Sequence, residues 1–129
     1  GPKVLLINKY SASDGDLFPW SFKANKIGKV IGTRTWGGIV GISGPLPYMD
    51  GTDVRVPFFT NYDAKTGQWI VENHGVDPDI LIDNDPVKEQ SGEDQQLNKA
   101  IEVILQELKD RKPLPSVPAP RTYKDLGVE

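Results

Sequence analysis

Residues 3–33, KVLLINKYSASDGDLFPWSFKANKIGKVIGT, contain two short apolar runs separated by a helical pattern. The runs at residues 3–8 and 29–33 are nearly continuous, which is typical of strands buried on both faces of a parallel sheet. From Asp14 onward the apolar residues recur at helical spacing instead. This order predicts a βαβ unit, a parallel pair of strands joined by a right-handed helical crossover.

The remaining chain predicts further short strands and one long helix. The glycine-dense residues 35–44, TWGGIVGISG, indicate a bulged strand that lies close to another backbone. Three more strands are expected, one in which Val54, Val56 and Phe58 alternate, one containing Trp69 and Val71, and one at residues 79–82. A polar hairpin loop at 61–67 should join the first two of these.

A helix that begins at residues 91–94 carries apolar residues at i, i+3, i+4, i+7, i+8 and i+11, namely Leu97, Ala100, Ile101, Ile104, Leu105 and Leu108. This spacing predicts a wide apolar stripe that faces a core. Residues 111–129 are rich in proline and predict an extended C-terminal tail. The acidic turn at residues 83–86 predicts an Asx-type turn, because it lacks the glycine and glutamate of a calcium loop.

Composition limits the classes of function. The chain has 129 residues, 37% of them hydrophobic and 26% charged, which fits one globular domain or a piece of one. A formal net charge of −3 argues against sequence-independent nucleic-acid binding. The absence of cysteine excludes disulfides, cysteine-ligated zinc and a thiol nucleophile. No membrane span or signal peptide is expected, and the compartment stays open.

Ser13 is the strongest candidate for chemistry. It follows a buried strand, lies in a polar turn and begins a helix, so its hydroxyl can be exposed beside helix N–H groups that face an oxyanion. The arrangement resembles a nucleophile elbow without the flanking glycines. The alternative is an ordinary N-cap, because Ser13 and Asp16 have the spacing of a capping box.

Glu72 and the single histidine, His74, lie at a strand end beside Gly75. Glu72 can orient a partner or can be a solvated edge charge. A Ser13–His74–Glu72 triad is conceivable, but an acid and a base two residues apart rarely meet, so His74 is interpreted as a turn residue. Gly37, Gly38 and Gly41 lack the spacing of a dinucleotide-binding loop.

Four motifs in order resemble the tricorn-like branch of the C-terminal processing (tail-specific) serine peptidases. They are NKYSASDGD at 8–16, IGTRTWGG at 31–38, ENHGVDPD at 72–79 and DQQLNKAI at 94–101. The resemblance covers residues 1–110 and implies the C-terminal half of a catalytic domain, with residues 111–129 as a tail. The implied fold is α/β and crotonase-like, a ββα superhelix around a curved mixed sheet with flanking helices.

The resemblance also implies roles for individual residues. Ser13 aligns with the nucleophile, the N–H of Asp14 with half of the oxyanion hole, and Glu72 with a carboxylate of the charge relay. The segment that pairs with the substrate backbone corresponds to Gly37, Gly38, Gly41, Ile42 and Ser43. No cofactor and no metal are implied.

The alignment with the family decides whether Ser13 or Ser11 matches the nucleophile. In the Ser–Lys branch of the family, the lysine base lies 25 residues after the nucleophilic serine. Gly38 stands at the position of that lysine, and the residue 25 positions before Gly38 is Ser13. Since Gly38 replaces that lysine, a histidine base is implied. In the tricorn-like branch this histidine and a second oxyanion donor lie upstream.

The resemblance therefore implies a fragment of a serine endopeptidase that acts on peptides or unfolded polypeptides. Its partners would be the upstream half of the domain, a PDZ module and further copies of itself, with no nucleic acid and no membrane span. Two alternatives remain, a non-catalytic peptide-binding domain of the same fold and a crotonase-like acyl-CoA enzyme. The Ser-Asp-Gly-Asp turn disfavours the second.

Overall fold

The structure, a computed structural model, describes residues 1–42, 44 and 46–127, with only the backbone of Leu46. The strands are β1 (Val4–Ile7), β2 (Lys29–Gly32), β3 (Gly41–Ile42), β4 (Leu46–Pro47), β5 (Asp53–Val54), β6 (Pro57–Phe59), β7 (Tyr62–Asp63), β8 (Gln68–Trp69) and β9 (Ile80–Leu81). The helices are α1 (Asp14–Ala24), α2 (Pro86–Gln90) and α3 (Gln95–Lys109), and a 3₁₀ turn covers Lys124–Leu126. Among these described helices none has both the length and the apolar character needed to cross a bilayer.

A three-stranded parallel sheet in the order β1-β2-β9 holds the core. β1 and β2 pair over all four residues of each strand, and α1 connects them, so the predicted βαβ unit is confirmed. Because β2 lies between two strands, its Val30 and Ile31 are fully buried. Ile7 of β1 and Phe22 of α1 complete a buried cluster with Val30, which fixes α1 against the sheet.

Asp79 ties the start of the sheet to α1. Its carboxylate accepts a hydrogen bond from Val30 N at 2.8 Å and lies 3.2 Å from Lys23 Nζ. Burial opposes ionisation of this carboxyl, but the hydrogen bonds from Val30 and Lys23 outweigh it and lower the pKa of Asp79. The last residue of the predicted strand at 79–82 also pairs, since Ile82 N donates to Gly32 O.

Helix α3 packs on the sheet with only part of its predicted stripe. Ala100 is 3% exposed and faces the sheet, where α3 contacts β1 and β2. The prediction of a stripe that faces a core throughout is wrong for four of its members, which are between 42% and 55% exposed: Leu97, Ile101, Leu105 and Leu108. The sheet reached by α3 is narrow, so the far side of the stripe has nothing to cover it within the described residues.

The described residues between 41 and 69 form three separate antiparallel ladders, β3–β6, β4–β5 and β7–β8. The single strand expected over Val54, Val56 and Phe58 is wrong, because β5 pairs with β4 and β6 pairs with β3. The predicted bulge is confirmed as a register shift between Gly41 and Ile42. The hairpin lies within the expected region, but its first strand, β7, occupies part of the predicted loop.

Helix α2 has no counterpart in the sequence prediction. The Asp85 side chain caps it by accepting hydrogen bonds from Val87 N and Lys88 N, and Pro86 occupies its first position. This capping agrees with the Asx-type turn expected at residues 83–86. Residues 111–122 contain no helix or strand and are exposed.

Substitution of Gly32 tests the close contact between β1 and β2. It has φ +133°, and a Cβ added there would lie 1.9 Å from Ile7 O, whereas Gly51 has φ +82° and open space around it. We expect Gly32→Ala to lower the free energy of unfolding by more than about 3 kcal/mol. Gly51→Ala should cost only about 1–2 kcal/mol, the cost of a positive φ. Urea denaturation followed by circular dichroism measures both, and equal losses would contradict the predicted clash.

Candidate active site

Ser13 holds a strained backbone conformation at the start of α1. Its φ is 57° and its ψ is −113°, values that a residue with a Cβ rarely adopts and that cost roughly 1–3 kcal/mol. Hydrogen bonds on both sides hold it there. Ser13 N donates to Gly38 O at 3.1 Å, and Ser13 O accepts from Asp16 N at 2.9 Å and Leu17 N at 3.0 Å. The serine therefore has a fixed main chain at the strand-to-helix turn.

The Ser13 side chain does not cap the helix. The predicted capping box is wrong, because the hydroxyl makes no capping hydrogen bond and the Asp16 carboxylate turns elsewhere. Asp16 accepts hydrogen bonds from Gly37 N at 2.8 Å and Gly38 N at 3.2 Å. Since Ser13 is exposed, its hydroxyl remains available to a ligand.

Ser11 is engaged differently. Its Oγ accepts a hydrogen bond from Asn8 N at 3.2 Å, and its carbonyl accepts one from Trp36 N at 2.9 Å. These bonds make Ser11 a structural residue of the turn between β1 and α1. The geometry thus favours Ser13 over Ser11 as the candidate nucleophile.

The N–H of Asp14 is the unoccupied donor at this helix terminus. Gly15 N donates to Ala12 O, and the next two amides, of Asp16 and Leu17, both donate to Ser13 O. Asp14 N has no hydrogen-bond partner within the described residues. It follows Ser13 directly and lies at the positive end of the helix dipole, where it can bind a negative oxygen.

Two carboxylates hold four consecutive amides of the glycine-rich segment. Asp16 takes the N–H groups of residues 37 and 38, as described above. Glu72 Oε2 accepts from Ile39 N at 2.7 Å and from Val40 N at 2.8 Å. Hydrogen bonds to charged acceptors are about twice as strong as neutral ones, so this segment is firmly positioned. Glu72 Oε1 has no partner within the described residues.

Glu72 lies in a strained turn that contacts the glycine-rich segment. Its neighbours Val71 and Asn73 have φ of 64° and 62°, and Gly75 has φ +86°. Asn73 N donates to Gly37 O at 2.7 Å, which ties the turn to the glycine-rich segment. Gly75 lies so close to Thr35 that an added Cβ would be 2.2 Å from the Thr35 carbonyl oxygen. A glycine is therefore required at position 75.

Most of the predicted site residues line one groove of about 520 Å³. Its lining includes Ser13, Asp14, Glu72, Gly38, Gly41 and Ile42. Leu17, Trp36, Phe59 and Asn61 also contribute, and none of these four was predicted as a site residue. Gly37 is buried and does not line the groove. Ser43 lies outside the described residues.

His74 does not reach this groove. It lies in the turn, as predicted, and its ring Nε2 is 2.8 Å from Asp77 Oδ2, with both side chains largely exposed. It is absent from the lining that Ser13 and Glu72 share. A triad that includes His74 is therefore not formed, and a base for Ser13 is not supplied by the described residues.

Comparison with known proteins gives the same assignment as the motifs. The model of a family described as "Peptidase family S41" matches residues 1–82, which is more than half of the chain. The chain belongs to peptidase family S41. It is 45% identical over 112 residues to the tricorn protease of Thermoplasma volcanium, a match that covers 87% of this chain and 11% of that protein.

Two solved protease structures share the fold of this chain. The crystal structure of the tricorn protease matches with a TM-score of 0.76 at 44% identity, over 84% of this chain and 11% of that one. The photosystem II D1 C-terminal processing protease matches with a TM-score of 0.51 at 29% identity, over 64% and 20%. The expected crotonase-like α/β fold and the tricorn-like resemblance are confirmed. The chain spans about 11% of the length of the curated tricorn relatives.

Membership of a peptidase family leaves the acyl-CoA alternative without support.

Asp16, which the sequence predicted to be part of a capping box, has a different role in the structure. Asp16 is fully buried and no cation pairs with it in the described part of the chain, so its charge is met by amides alone. The one available signal was a carboxylate three residues after Ser13, and that spacing equally fits a capping box.

Asp16→Asn tests whether the amide clamp positions Ser13. Asparagine offers one acceptor oxygen, so one of the two glycine N–H groups would face an NH₂ group. We expect fluorophosphonate labelling of Ser13, the candidate nucleophile, in the full-length protein to slow about 5- to 150-fold, since leaving a buried donor unpaired costs about 1–3 kcal/mol. Asp53→Asn makes the same change at an exposed carboxylate and should not alter the labelling rate. Equal rates for Asp16→Asn and the unmodified protein would refute the clamp.

Proposed function

We propose that this chain carries the nucleophile half of a serine endopeptidase site. The observation that carries the proposal is the Ser13 turn, where a hydroxyl without a capping bond stands next to an unoccupied helix N–H. Ser13 Oγ is the nucleophile, and Asp14 N is one donor of the oxyanion hole. The imidazole base and the second oxyanion donor come from a part of the protein beyond these residues, because His74 pairs with Asp77.

The proposed reaction is acyl transfer to serine followed by hydrolysis. Ser13 Oγ attacks the peptide carbonyl carbon while the base accepts the hydroxyl proton. The carbonyl oxygen becomes an oxyanion that accepts a hydrogen bond from Asp14 N. When the intermediate collapses, the C–N bond breaks and the protonated base gives its proton to the leaving amine. Water then attacks the acyl-serine ester by the same steps and releases the acid.

Glu72 supports the base in this proposal. One oxygen, Oε2, is fixed by two backbone amides, and the other has no partner within the described residues. A carboxylate anchored in this way can hold its free oxygen toward a hydroxyl that contacts the imidazolium. Its negative charge would stabilise the imidazolium that forms only during acyl transfer.

The glycine-rich segment would receive the substrate backbone. Gly38, Gly41 and Ile42 line the groove beside Ser13, and the missing side chains at the glycines permit close approach. Gly37 and Ser43 stay in the proposed binding segment, although the amide of Gly37 is already held by Asp16. Peptides or unfolded polypeptides are the proposed substrates. An upstream half-domain, a PDZ module and homo-oligomer contacts are the proposed partners.

A non-catalytic peptide-binding domain is the competing function. It would use the same groove and the same segment but would not need an activated Ser13. The uncapped hydroxyl and the free Asp14 N favour catalysis, because a binding domain gains nothing from a strained serine at this turn.

Serine labelling separates these two functions. In the full-length protein we expect a fluorophosphonate probe to label Ser13, and Ser13→Ala to abolish both labelling and peptidase turnover. Ser11→Ala is the matched control, since Ser11 is two residues away and its hydroxyl serves the turn. Labelling that survives in Ser13→Ala and disappears in Ser11→Ala would contradict the assignment. A folded protein that is never labelled would favour the binding domain.

Two substitutions separate the charge of Glu72 from its anchoring role. Glutamine can still accept from the Ile39 and Val40 amides, so Glu72→Gln should leave the melting temperature nearly unchanged. It should lower kcat by up to about 10⁴-fold, the cost of losing an orienting carboxylate. Glu72→Ala also releases the two amides and should raise KM as well. Steady-state kinetics and a melting curve measure these effects, and an unchanged kcat in Glu72→Gln would remove Glu72 from the mechanism.

A further inference from the structure

The β7–β8 hairpin carries two exposed aromatic rings outside the groove beside Ser13. Tyr62 and Trp69 are cross-strand partners in this ladder, and their ring centroids lie 6.3 Å apart with the ring planes at 84°. Tyr62 is 60% exposed and Trp69 is 73% exposed. Neither Tyr62 Oη nor Trp69 Nε1 has a hydrogen-bond partner within the described residues. These two rings form an open aromatic notch with two free donors, and neither ring lines the groove.

Proline-rich segments match such a notch in shape and in hydrogen bonding. In the polyproline II conformation the chain has three residues per turn, and its carbonyl groups have no internal partners. The proline rings pack on aromatic faces, and the free carbonyls accept hydrogen bonds from Tyr O–H and Trp N–H groups. Because proline already restricts φ in the free chain, little conformational entropy is lost on docking.

The C-terminal tail of this chain has the required composition and exposure. Residues 111–122 contain no helix or strand and are exposed throughout. They include four prolines, at positions 113, 115, 118 and 120. Within one copy the tail buries little apolar surface, since Leu114 is 73% exposed and Val117 is 91% exposed. The apolar side chains of the tail are thus available to another surface.

The spacing of the prolines gives the tail one edge that fits the notch. Three residues per turn align positions 112, 115, 118 and 121 along a single edge, whose side chains are Lys, Pro, Pro and Arg. Pro115 and Pro118 can then pack on the notch together. Lys112 and Arg121 flank them, where a cation is attracted to an aromatic face. The remaining two prolines of the tail lie on the two other edges.

Helix α3 carries the start of the tail away from the aromatic notch. Gln96 Nε2 donates to Ile82 O, so α3 begins at the carboxyl end of the parallel sheet. Its 15 residues span about 22 Å toward the amino end, where Glu107 shares a pocket with Gly28 and Lys29. The tail therefore starts beside the amino end of the sheet.

The aromatic notch lies at the opposite end of the sheet. Asn61, next to Tyr62, lines the groove that contains Ser13, and Ser13 follows the carboxyl end of β1. The four peptide steps from Arg111 to Pro115 extend about 14 Å at most. This is shorter than α3 alone, so a tail cannot place Pro115 on the notch of its own copy. A second copy of the chain has no such restriction.

We propose that the proline-rich tail of one copy of this chain docks on the aromatic notch of a second copy, with Pro115 and Pro118 against Tyr62 and Trp69. The contact is an interaction surface and takes no part in bond making or breaking. It rests on the homo-oligomer contacts of the proposed function for the presence of a second copy, and it does not depend on the chemistry of Ser13.

Photo-crosslinking in the full-length protein tests the contact. A benzophenone amino acid is placed at Val117, which is next to Pro118 in sequence but lies on another edge of the tail. Irradiation should produce a covalent dimer on a denaturing gel, and mass spectrometry of the joined peptides should place the cross-link in the β7–β8 hairpin. A cross-link within one copy leaves the mass on the gel unchanged, so the gel distinguishes the two arrangements.

A ring variant and its control assign the cross-link to the notch. Trp69→Ala should reduce the yield of covalent dimer by about fivefold or more, because it removes a ring at the centre of the contact. Tyr48→Ala removes a ring that is 57% exposed in the turn between β4 and β5, and it should leave the yield unchanged.

Two pairs of proline substitutions test the edge of the tail. Pro115→Ala with Pro118→Ala should also reduce the dimer yield by about fivefold or more, because it removes the two rings that face the notch. Pro113→Ala with Pro120→Ala removes as many prolines and as much backbone restriction from the other edges, and it should leave the yield unchanged. These variants keep the test decisive if Trp69→Ala fails to fold, because the tail is exposed and has no helix or strand at these positions.

Several results would overturn the contact. They are the absence of a covalent dimer, cross-links only within one copy, and dimer cross-links that map to the groove beside Ser13 or to the exposed face of α3. Equal losses in the two proline pairs would also overturn it, since the tail would then show no preferred edge. Fluorophosphonate labelling of Ser13 is measured in the same samples. A protein that forms the expected dimer but is never labelled retains the tail contact and loses the peptidase proposal.

Discussion

The capture of four consecutive backbone amides by two carboxylates is the constraint on which the site depends. Asp16 and Glu72 reach residues 37–40 from opposite sides in sequence, one from α1 and one from the turn after β8. Left unpaired in a partly buried segment, each amide would cost about 1–3 kcal/mol. Because Asp16 follows Ser13 by three residues and Gly38 O accepts a hydrogen bond from Ser13 N, the clamp joins the proposed nucleophile, the proposed substrate segment and the proposed relay carboxylate into one unit.

Backbone hydrogen bonds near the same segment hold residues whose φ angles are unfavourable. Four non-glycine residues of the described chain have positive φ, and Ser13, Val71 and Asn73 are three of them. Each lies at or beside a residue with a proposed role in catalysis. Such conformations persist only where surrounding bonds over-determine them. Here Ser13 N and Asn73 N donate to the carbonyl oxygens of Gly38 and Gly37, and Val71 O accepts from His74 N and Gly75 N. The strained backbone conformations of this site therefore lie where backbone hydrogen bonds hold the main chain.

Predictability follows the amount of burial. The βαβ unit could be predicted because two short apolar runs, at residues 3–8 and 29–33, flank a helical pattern, and the second run contains the fully buried Val30 and Ile31. The pairing of the ladders between residues 41 and 69 could not be predicted, because the strands are only two or three residues long. The alternation of Val54, Val56 and Phe58 runs across two of them, β5 and β6, which pair with different partners. The role of Asp16 was also hidden. Its partners are backbone amides about twenty residues away in the sequence, and a backbone amide has no side chain by which the sequence could reveal it. The spacing of Ser13 and Asp16, in contrast, fits a local capping box and so predicted the wrong hydrogen bond.

Ser13 and the opposite wall of the groove lie on elements of different stability. Ser13 is held by β1 and α1, which share the buried cluster of Ile7, Phe22 and Val30. Phe59 lies on β6, a short strand of exposed residues paired only with β3. Regions with few buried contacts open and vary more readily than core elements. A change in the β3–β6 ladder can thus reshape the groove wall while hydrogen bonds hold the main chain of Ser13, so the shape of the groove can vary without loss of the proposed reactive geometry.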